Sequence, residues 1–325
     1  MAFSATFSSP QSSLLCAQKK VNPVSPTTSL LPNQLAHQKL LYQPLRYDKG
    51  VAAIRVRQKR FSSPITASLK WEKGYTNVEV FTKDHLAVSL AYDVAQLSSK
   101  YIKERGAFTV ALSGGSLIKY LRKLVEAPFA ESIEWSKWHV FWVDERVVPK
   151  THLESNYKLA YDGFISKVPI PGTQVYAIDD ALPPDGAADV CETNLRRLVK
   201  SNVLASSEEG IPRFDLILLG MGPDGHVASL FPGHRLLRED QKWVSYLTDS
   251  PKPPPERITY TLPVINSASN ISIVVAGAGK ASAVRIALED DEEKPDKLPV
   301  QLVSPRRGEI KWYLDKGAAS KLFKE

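Results

Sequence analysis

Cysteine, metal-binding histidine pairs and long apolar runs are scarce or missing in this chain, and each absence excludes a class of protein. Two cysteines occur in 325 residues, Cys16 and Cys191, so neither a disulfide framework nor a cysteine-based metal site is expected. No stretch approaches the roughly 18 consecutive apolar residues that a membrane-spanning helix needs. The spacings H-x-x-x-H and H-E-x-x-H are missing, and a single Asp-Gly-His offers too few ligands. We therefore expect no membrane contact and no metal.

The charge is unevenly distributed along the chain. The formal net charge of +7 would by itself suggest a nucleic-acid partner. Residues 1–66, however, hold nine Lys or Arg and one acidic residue, which leaves 33 basic and 34 acidic residues for the rest. Because the part that carries the apolar patterns is nearly neutral, we expect no nucleic-acid binding.

The basic segment 1–66 is also rich in Ser, Pro and Gln. It begins MAFSATFSSPQSSLL and lacks the continuous apolar core of a secretory signal. This composition predicts a disordered transit peptide that the plastid import machinery reads, and a mature domain over 67–325 in the chloroplast stroma. A basic tail with no address is the alternative.

From Thr82 onward the pattern alternates between helices and short apolar strands. Thr82 is predicted to cap a helix that ends at Gly106. The main predicted strands are Phe108–Leu112, Trp138–Val143, Phe214–Leu219 and Ile271–Ala276. Three further predictions are a helix over Asp185–Leu204, a stiff proline-rich loop over 249–256, and a strand in which Arg257, Thr259 and Thr261 face one way. The alternation predicts an α/β fold of three layers, with a mostly parallel twisted sheet and helices on both of its faces.

Polar or glycine-rich loops follow four of these strands: Ser113–Ser116, Asp144–Arg146, Asp224–His226 and Gly277–Lys280. The carboxyl ends of parallel strands share one edge of a sheet, where open α/β sheets bind their ligands. Glycine turns before a helix can present free backbone N–H groups to an anion. We therefore expect a phosphate site at this edge, whereas ordinary solvated turns are the alternative at each loop.

His226 lies in the sharpest of these turns, within Gly-Met-Gly-Pro-Asp-Gly-His. A histidine near a strand end with an aspartate two residues before it suits acid–base catalysis near neutral pH. The alternative is a histidine that only braces its loop.

The string GMGPDGHVASLFPG resembles the G-x-G-x-D-G-H-x-A-S-L-F-P-G signature of 6-phosphogluconolactonases, a family that shares its fold with glucosamine-6-phosphate deaminase. Asp144-Glu145-Arg146 and Ser155-Asn156-Tyr157 also match this family, and the resemblance covers most of residues 70–316. It implies hydrolysis of 6-phospho-D-glucono-1,5-lactone, a small sugar-phosphate lactone, to 6-phosphogluconate without a metal or organic cofactor.

The resemblance also implies roles for individual residues. His226 would activate water, and Asp224 would orient the His226 imidazole. Asn156 would reach the sugar hydroxyls, and Arg146 would serve either the phosphate or the oxyanion. The other residues expected to bind substrate or phosphate are Ser113, Gly114, Gly115, Ser116, Asp144, Arg257 and Lys280. Many relatives continue the glycine turn with Thr-Pro, whereas Leu117-Ile118 stand here, so a serine of this turn must supply any hydroxyl contact.

Two other functions fit parts of the pattern. Glucosamine-6-phosphate deaminases share the G-x-G-x-D-G-H core but continue with Ile-Ala-Phe-Asn-Glu-Pro, whereas this chain continues with Val227–Pro232 and has no such glutamate. A non-catalytic sugar-phosphate sensor would keep the fold and lose the histidine.

Overall fold

The computed structural model describes residues 76–289 and 296–322. The predicted transit peptide, its boundary at residue 67 and Cys16 lie outside these ranges. The central sheet has six strands in the order β1-β11-β10-β7-β2-β3, and all neighbouring pairs are parallel. Its strands are β1 (Thr76–Phe81), β2 (Phe108–Leu112), β3 (Trp138–Trp142), β7 (Leu216–Gly220), β10 (Asn270–Val275) and β11 (Glu309–Asp315).

The remaining strands form two smaller antiparallel sheets. One has the order β4-β9-β8, and the other pairs β5 with β6. Their strands are β4 (Asp144–Arg146), β5 (Ala205–Ser206), β6 (Pro212–Arg213), β8 (Val244–Leu247) and β9 (Arg257–Tyr260).

Helices pack on both faces of the central sheet. The helix α1 begins after Thr82, whose hydroxyl accepts the His85 N–H, and it ends at Gly106 with φ 79°. These are the predicted caps. The helices are α1 (Lys83–Arg105), α2 (Leu117–Leu121), α3 (Phe129–Ser132), α4 (Asn156–Gly163), α5 (Pro184–Lys200), α6 (Leu262–Ser267) and α7 (Ala281–Glu289).

The side chains of β7 show why the fold has three layers. Leu216 and Leu218 join a core that includes α1, α2 and α4, whereas Ile217 and Leu219 join a core that includes α5 and α7. Successive residues of a strand point to opposite faces, so a strand covered on both sides must be apolar throughout. The predicted α/β fold class is confirmed.

Three local predictions need correction. Asp144–Arg146 is not a loop but the strand β4, which pairs with β9. The strand β1 was not predicted, although its pairing with β11 joins the beginning and the end of the described fold. The helix expected over Asp185–Leu204 ends at Lys200, and the left-handed Asn202 (φ 59°) follows.

Among the described residues, no helix combines the length and the apolarity that crossing a membrane would require.

Candidate active site

The turn after β7 folds back on itself and returns His226 to the strand end. The Gly222 N–H donates to the His226 carbonyl (2.9 Å), and the Gly225 N–H donates to the Gly222 carbonyl (3.0 Å). Gly225 has φ 77°, a backbone conformation that favours glycine. The turn therefore holds the histidine on a short, hydrogen-bonded loop at the carboxyl edge of the sheet.

His226, Asp224 and Lys252 form the central cluster. His226 Nδ1 lies 2.5 Å from Asp224 Oδ1. Lys252 Nζ lies 3.0 Å from each carboxylate oxygen of Asp224 and 3.1 Å from His226 Nδ1. Because a carboxylate can only accept, the short contact assigns the ring proton to Nδ1. Nε2 makes no hydrogen bond with any described residue and is left to act as a base.

The pKa values of the cluster suit this role. Burial lowers the pKa of His226, Asp224 opposes that shift through its hydrogen bond and charge, and the charge of Lys252 lowers it further. Burial acts to raise the pKa of Asp224, but His226 and Lys252 together lower it to about 2. The site thus holds a neutral imidazole beside an ionised carboxylate at neutral pH.

Because Gly222 has no side chain, there is room beside it for the His226–Asp224 pair. A Cβ at position 222 would lie 2.0 Å from His226 Nδ1 and 2.5 Å from Asp224 Oδ1. On the other side, the His226 ring packs against Phe231, with 4.8 Å between the ring centroids. The imidazole therefore lies between the backbone of the turn and the Phe231 ring.

The loop Ser113–Ser116 follows β2 at the same edge. Ser113 Oγ is buried without a hydrogen-bond partner in the described structure, which is the state expected of a group that meets a ligand. Gly115, with φ 69°, and Ser116 are exposed. The helix that follows is a single short one, α2, continued by a 3₁₀ turn over Arg122–Val125.

Asn156 connects this loop to β4. Its Nδ2 donates to the Asp144 carbonyl (3.1 Å), and a Cβ at Gly114 would lie 1.8 Å from its Oδ1. Asp144 is buried, and its Oδ2 accepts the Ser229 hydroxyl (2.8 Å). Asn156 thus lies beside the glycine loop. Its contact with the sugar hydroxyls and the contact of Asp144 with the substrate stay predictions.

Glu145 is a buried carboxylate that sequence analysis did not single out. It accepts backbone N–H groups from Arg146, Asn156 and Tyr157 at 2.7–2.8 Å and so satisfies the first turn of α4. Burial raises its pKa to about 7, although these hydrogen bonds act to lower it. Its contacts make it a cap that fixes α4 and Asn156 against β4.

Three further cations were predicted for this edge. Arg146 Nη1 donates to the carbonyl (2.6 Å) and the carboxylate (3.0 Å) of Glu154, while its buried Nε has no partner in the part of the chain described. The ammonium of the half-buried Lys280 makes no hydrogen bond or ion pair with a described residue, whereas the backbone N–H donates to the Gly277 carbonyl (3.1 Å). Burial and the charge of Lys252 lower the pKa of Lys280, whereas Asp315 acts to raise it.

Arg257 has partners other than the expected phosphate. Its Nε donates to the Pro254 carbonyl (3.0 Å), and its Nη2 donates to the carbonyls of Lys252 (2.9 Å) and Pro253 (3.0 Å). Nη1 lies 3.4 Å from Ser229 Oγ. Only Nη1 has a hydrogen left for a ligand, and the predicted phosphate contact of Arg257 stays a prediction for that nitrogen.

The structure gathers the predicted loops at one edge and adds Lys252 to them. Sequence analysis read the segment around Lys252 as a stiff proline-rich loop. The signal that could have found it is one lysine among four prolines, because prolines fix the backbone φ angle and so hold the residue between them in a restricted place. Within residues 76–289 and 296–322, no group of three or more His, Cys, Asp or Glu side chains could hold a metal ion.

Comparison with known proteins gives a family match over residues 81–312, to the family described as glucosamine-6-phosphate isomerases/6-phosphogluconolactonase. A protein of Oryza sativa subsp. indica named probable 6-phosphogluconolactonase 4, chloroplastic, is 63% identical over 241 residues, which cover 74% of each chain. Arabidopsis thaliana 6-phosphogluconolactonase 3, chloroplastic, is 59% identical over 247 residues, or 75% of each chain. The solved structure of 6-phosphogluconolactonase from Trypanosoma brucei superposes with a TM-score of 0.65 at 26% identity, covering 75% of this chain and 98% of that one.

Proposed function

This chain belongs to the family of glucosamine-6-phosphate isomerases and 6-phosphogluconolactonases, and we propose that His226 is the base with which it hydrolyses its lactone substrate. The activity is hydrolysis of 6-phospho-D-glucono-1,5-lactone to 6-phospho-D-gluconate, in the oxidative pentose phosphate pathway, since the plant relatives are 6-phosphogluconolactonases. Their names also give the localisation, which is the plastid.

The observation that carries the catalytic proposal is the contact of His226 Nδ1 with Asp224, which leaves Nε2 free at the strand end. Nε2 removes a proton from water as the water oxygen adds to the lactone carbonyl carbon. The tetrahedral oxyanion then collapses, the bond between that carbon and the ring oxygen breaks, and the imidazolium returns its proton to the ring oxygen. Asp224 holds the ring tautomer throughout and stabilises the imidazolium.

The phosphate is held by groups that have unused donors. These are the backbone N–H groups of Gly114, Gly115 and Ser116, the unpaired Ser113 hydroxyl and the unpaired Lys280 ammonium. An anion bound there meets charge-assisted hydrogen bonds, the stronger kind. Asn156, beside the glycine loop, faces the sugar hydroxyls, and Asp144 is a further contact for the substrate. Arg146, with its unpaired Nε, is a further cation for the phosphate or for the oxyanion.

The test is hydrolysis by the purified chain, followed as acid release with the spontaneous rate subtracted. His226→Ala should lower kcat about 10²–10⁴-fold and leave KM nearly unchanged, because the phosphate anchor stays. His139→Ala is the matched control, since burial also lowers the pKa of His139 but it lies on β3 and contacts Tyr176.

A folded His226→Ala protein that keeps the rate within a few fold would reject the catalytic role. Ammonia release from glucosamine 6-phosphate by the unmutated chain would indicate the deaminase. Binding of sugar phosphates without turnover would indicate a sensor.

For the segment 1–66, the proposal is a transit peptide that the plastid import machinery recognises, followed by a catalytic domain over 67–325. Its support is the charge asymmetry of the sequence together with the chloroplastic relatives.

A further inference from the structure

Arg257, the first residue of β9, uses its guanidinium to bind the loop that precedes it. The residue is 3% exposed. Three of its N–H groups donate to the successive carbonyls of Lys252, Pro253 and Pro254 at 2.9–3.0 Å. Desolvating an arginine is costly unless its N–H groups find acceptors, so this contact is a built feature of the site.

The loop over residues 248–256 needs donors from outside itself. Four of its nine residues are prolines, at positions 251, 253, 254 and 255, and proline has no backbone N–H. Within the loop, Ser250 supplies two donors: its hydroxyl donates to the Lys252 carbonyl at 2.8 Å, and its backbone N–H donates to the Pro255 carbonyl at 3.2 Å. Without Arg257, the carbonyls of Pro253 and Pro254 would lose the protein donors that the described structure gives them.

The same loop carries Lys252, whose ammonium lies 3.0 Å from the Asp224 carboxylate and 3.1 Å from His226 Nδ1. Two sets of contacts thus connect Arg257 to the base: guanidinium to loop backbone, and Lys252 side chain to the Asp224–His226 pair. The guanidinium also lies over Phe231, 5.8 Å from its centroid, and Phe231 packs against the His226 ring.

We propose that Arg257 is a positioning residue that acts through Lys252: it fixes the proline-rich loop so that the Lys252 ammonium meets Asp224 beside the catalytic base. This inference rests on the proposed function for its kinetic readout. It differs from the role that the sequence suggests for Arg257, a direct contact with the substrate phosphate.

A double-mutant cycle separates the two roles. Lys252→Met removes the ammonium, and kcat/KM should fall about ten- to a hundredfold, the range for a charge-assisted contact. Arg257→Gln in the unmutated background should lose a similar factor. In the Lys252→Met background, Arg257→Gln should cost less than threefold, because the group through which it acts is already gone.

The acid limb of the pH profile gives a second readout that a change in folding stability alone does not move. The charged groups that act on the His226 imidazole are Asp224, Lys252 and Asp144. Since the positive charge of Lys252 disfavours the imidazolium, Lys252→Met should move the limb to higher pH. Arg257→Gln should move it in the same direction.

Two variants serve as controls. Arg257→Lys keeps the charge but cannot direct N–H groups at three carbonyls, so it should behave like Arg257→Gln, and it replaces that variant in the cycle if Arg257→Gln does not fold. Arg213→Gln removes an arginine that donates to the backbone carbonyl of Arg307 (2.9 Å), before the amino end of β7, and should leave kcat/KM unchanged. Circular dichroism and thermal melts establish that each variant is folded.

Three results would overturn the proposal. They are additive losses in the cycle, as expected of an arginine that binds phosphate by itself, full activity of Arg257→Lys, and a folded Arg257→Gln protein within twofold of the original kcat/KM. An unmutated chain that does not hydrolyse the lactone would instead reject the proposed function, so the two failures are distinct.

Discussion

Positive and negative side chains both act on the pKa of His226, and their balance with burial determines whether the imidazole is protonated. Burial and the charge of Lys252 lower the pKa of His226, whereas Asp224 and Asp144 act to raise it, and the net direction is downward. A lowered pKa means that the imidazole stays neutral, and able to accept a proton, to a lower pH than the ordinary value of about 6.5. The proposed base is therefore available over the whole neutral range.

This balance predicts the acid limb of kcat/KM. In the unmutated enzyme the limb should lie below pH 6.5. Asp224→Asn removes a charge that favours the imidazolium, so the limb should move to lower pH, with a rate loss smaller than that of His226→Ala because the base remains. The measurement is kcat/KM against pH, corrected for spontaneous hydrolysis, and His139→Ala should leave the profile in place. A limb that stays in place in Asp224→Asn would contradict the assignment to His226.

Lys280 offers a separate prediction, about binding. Its ammonium is half-buried and unpaired among the described residues, and the charge of Lys252 lowers its pKa after burial has done so. Lys280→Ala should raise KM about ten- to a hundredfold and change kcat little, since a phosphate is held equally in the ground and transition states. The measurement compares 6-phosphogluconolactone with unphosphorylated gluconolactone, which should show almost no further loss. Lys200→Ala, at the exposed end of α5, is the matched control, and equal losses on both lactones would show that Lys280 does not bind phosphate.

Single residues differ in how far the sequence reveals them. His226 and Asp224 could be found because they stand two positions apart in one turn, where local spacing determines the contact. Lys252 and Glu145 could not, because their roles arise from partners far away in sequence: Lys252 lies 26 positions from His226, and Glu145 receives backbone N–H groups from α4, 11 and 12 positions away. Arg257 shows a further limit. The alternating pattern predicts which face of β9 its side chain lies on, but it does not predict that the guanidinium donates to backbone carbonyls of the preceding loop.

At the scale of elements, the turn 220–226 depends on the absence of a side chain at Gly222. A Cβ there would lie 2.0 Å from His226 Nδ1 and 2.1 Å from Cε1, so Gly222→Ala should push the imidazole off Asp224. A displacement of about 1 Å can cost on the order of 10²-fold in rate. We expect kcat to fall about ten- to a hundredfold with KM nearly unchanged, measured by steady-state hydrolysis.

Gly172→Ala is the control for this variant, since nothing lies within 4 Å of the Cβ that it would add. It should leave kcat and stability as they are. A Gly222→Ala enzyme with full kcat would mean that the turn accommodates the methyl group without moving the base.

Elements with a strong local period were predicted well, and elements that depend on distant pairing were not. The helix α1 has its caps, and the strands β2 and β3 have largely apolar runs, within their own sequence. The strand β4 has three residues, two of them acidic, and it exists because β9 pairs with it more than a hundred residues later. The strand β1 likewise depends on β11. No local signal could reveal either pairing.

At the scale of the whole molecule, the fold collects positive charge at one place, although the composition of the domain is nearly neutral. Residues 67–325 have almost equal numbers of basic and acidic residues, yet Arg146, Lys252, Arg257 and Lys280 belong to loops and strand ends around one site. Arg146 pairs with Arg257 across β4 and β9, and Arg257 donates to the backbone carbonyl of Lys252 (2.9 Å). Burial and then the charge of Lys252 lower the pKa of Lys280. Net charge predicts the absence of a large basic surface, whereas only the topology brings these four cations to the same edge of the sheet.

The boundary proposed between residues 66 and 67 gives the last prediction, which concerns the two parts of the chain separately. A fluorescent protein fused to residues 1–66 should enter plastids, and a uniformly cytosolic signal would reject the transit peptide. The chain from Ala67 should fold and hydrolyse the lactone at the full rate, because the described fold begins with β1 at Thr76. A chain from Lys83 lacks β1 and is the control for the truncation.

Removal of β1 should strongly lower the free energy of unfolding, because the chain loses buried side chains and an ion pair. Val78 and Phe81 are 3% and 4% exposed, and burying two such side chains contributes about 3–6 kcal/mol. The shorter chain also loses the contact of Glu79 with Lys311 Nζ (3.1 Å) and exposes the edge of β11. Because that loss is comparable with the 5–15 kcal/mol by which domains are typically stable, chemical denaturation should show the chain from Lys83 largely unfolded and the chain from Ala67 as stable as the full chain. Equal stability of both truncated chains would mean that β1 contributes little to the fold, whereas an unfolded chain from Ala67 would place the domain boundary before residue 67.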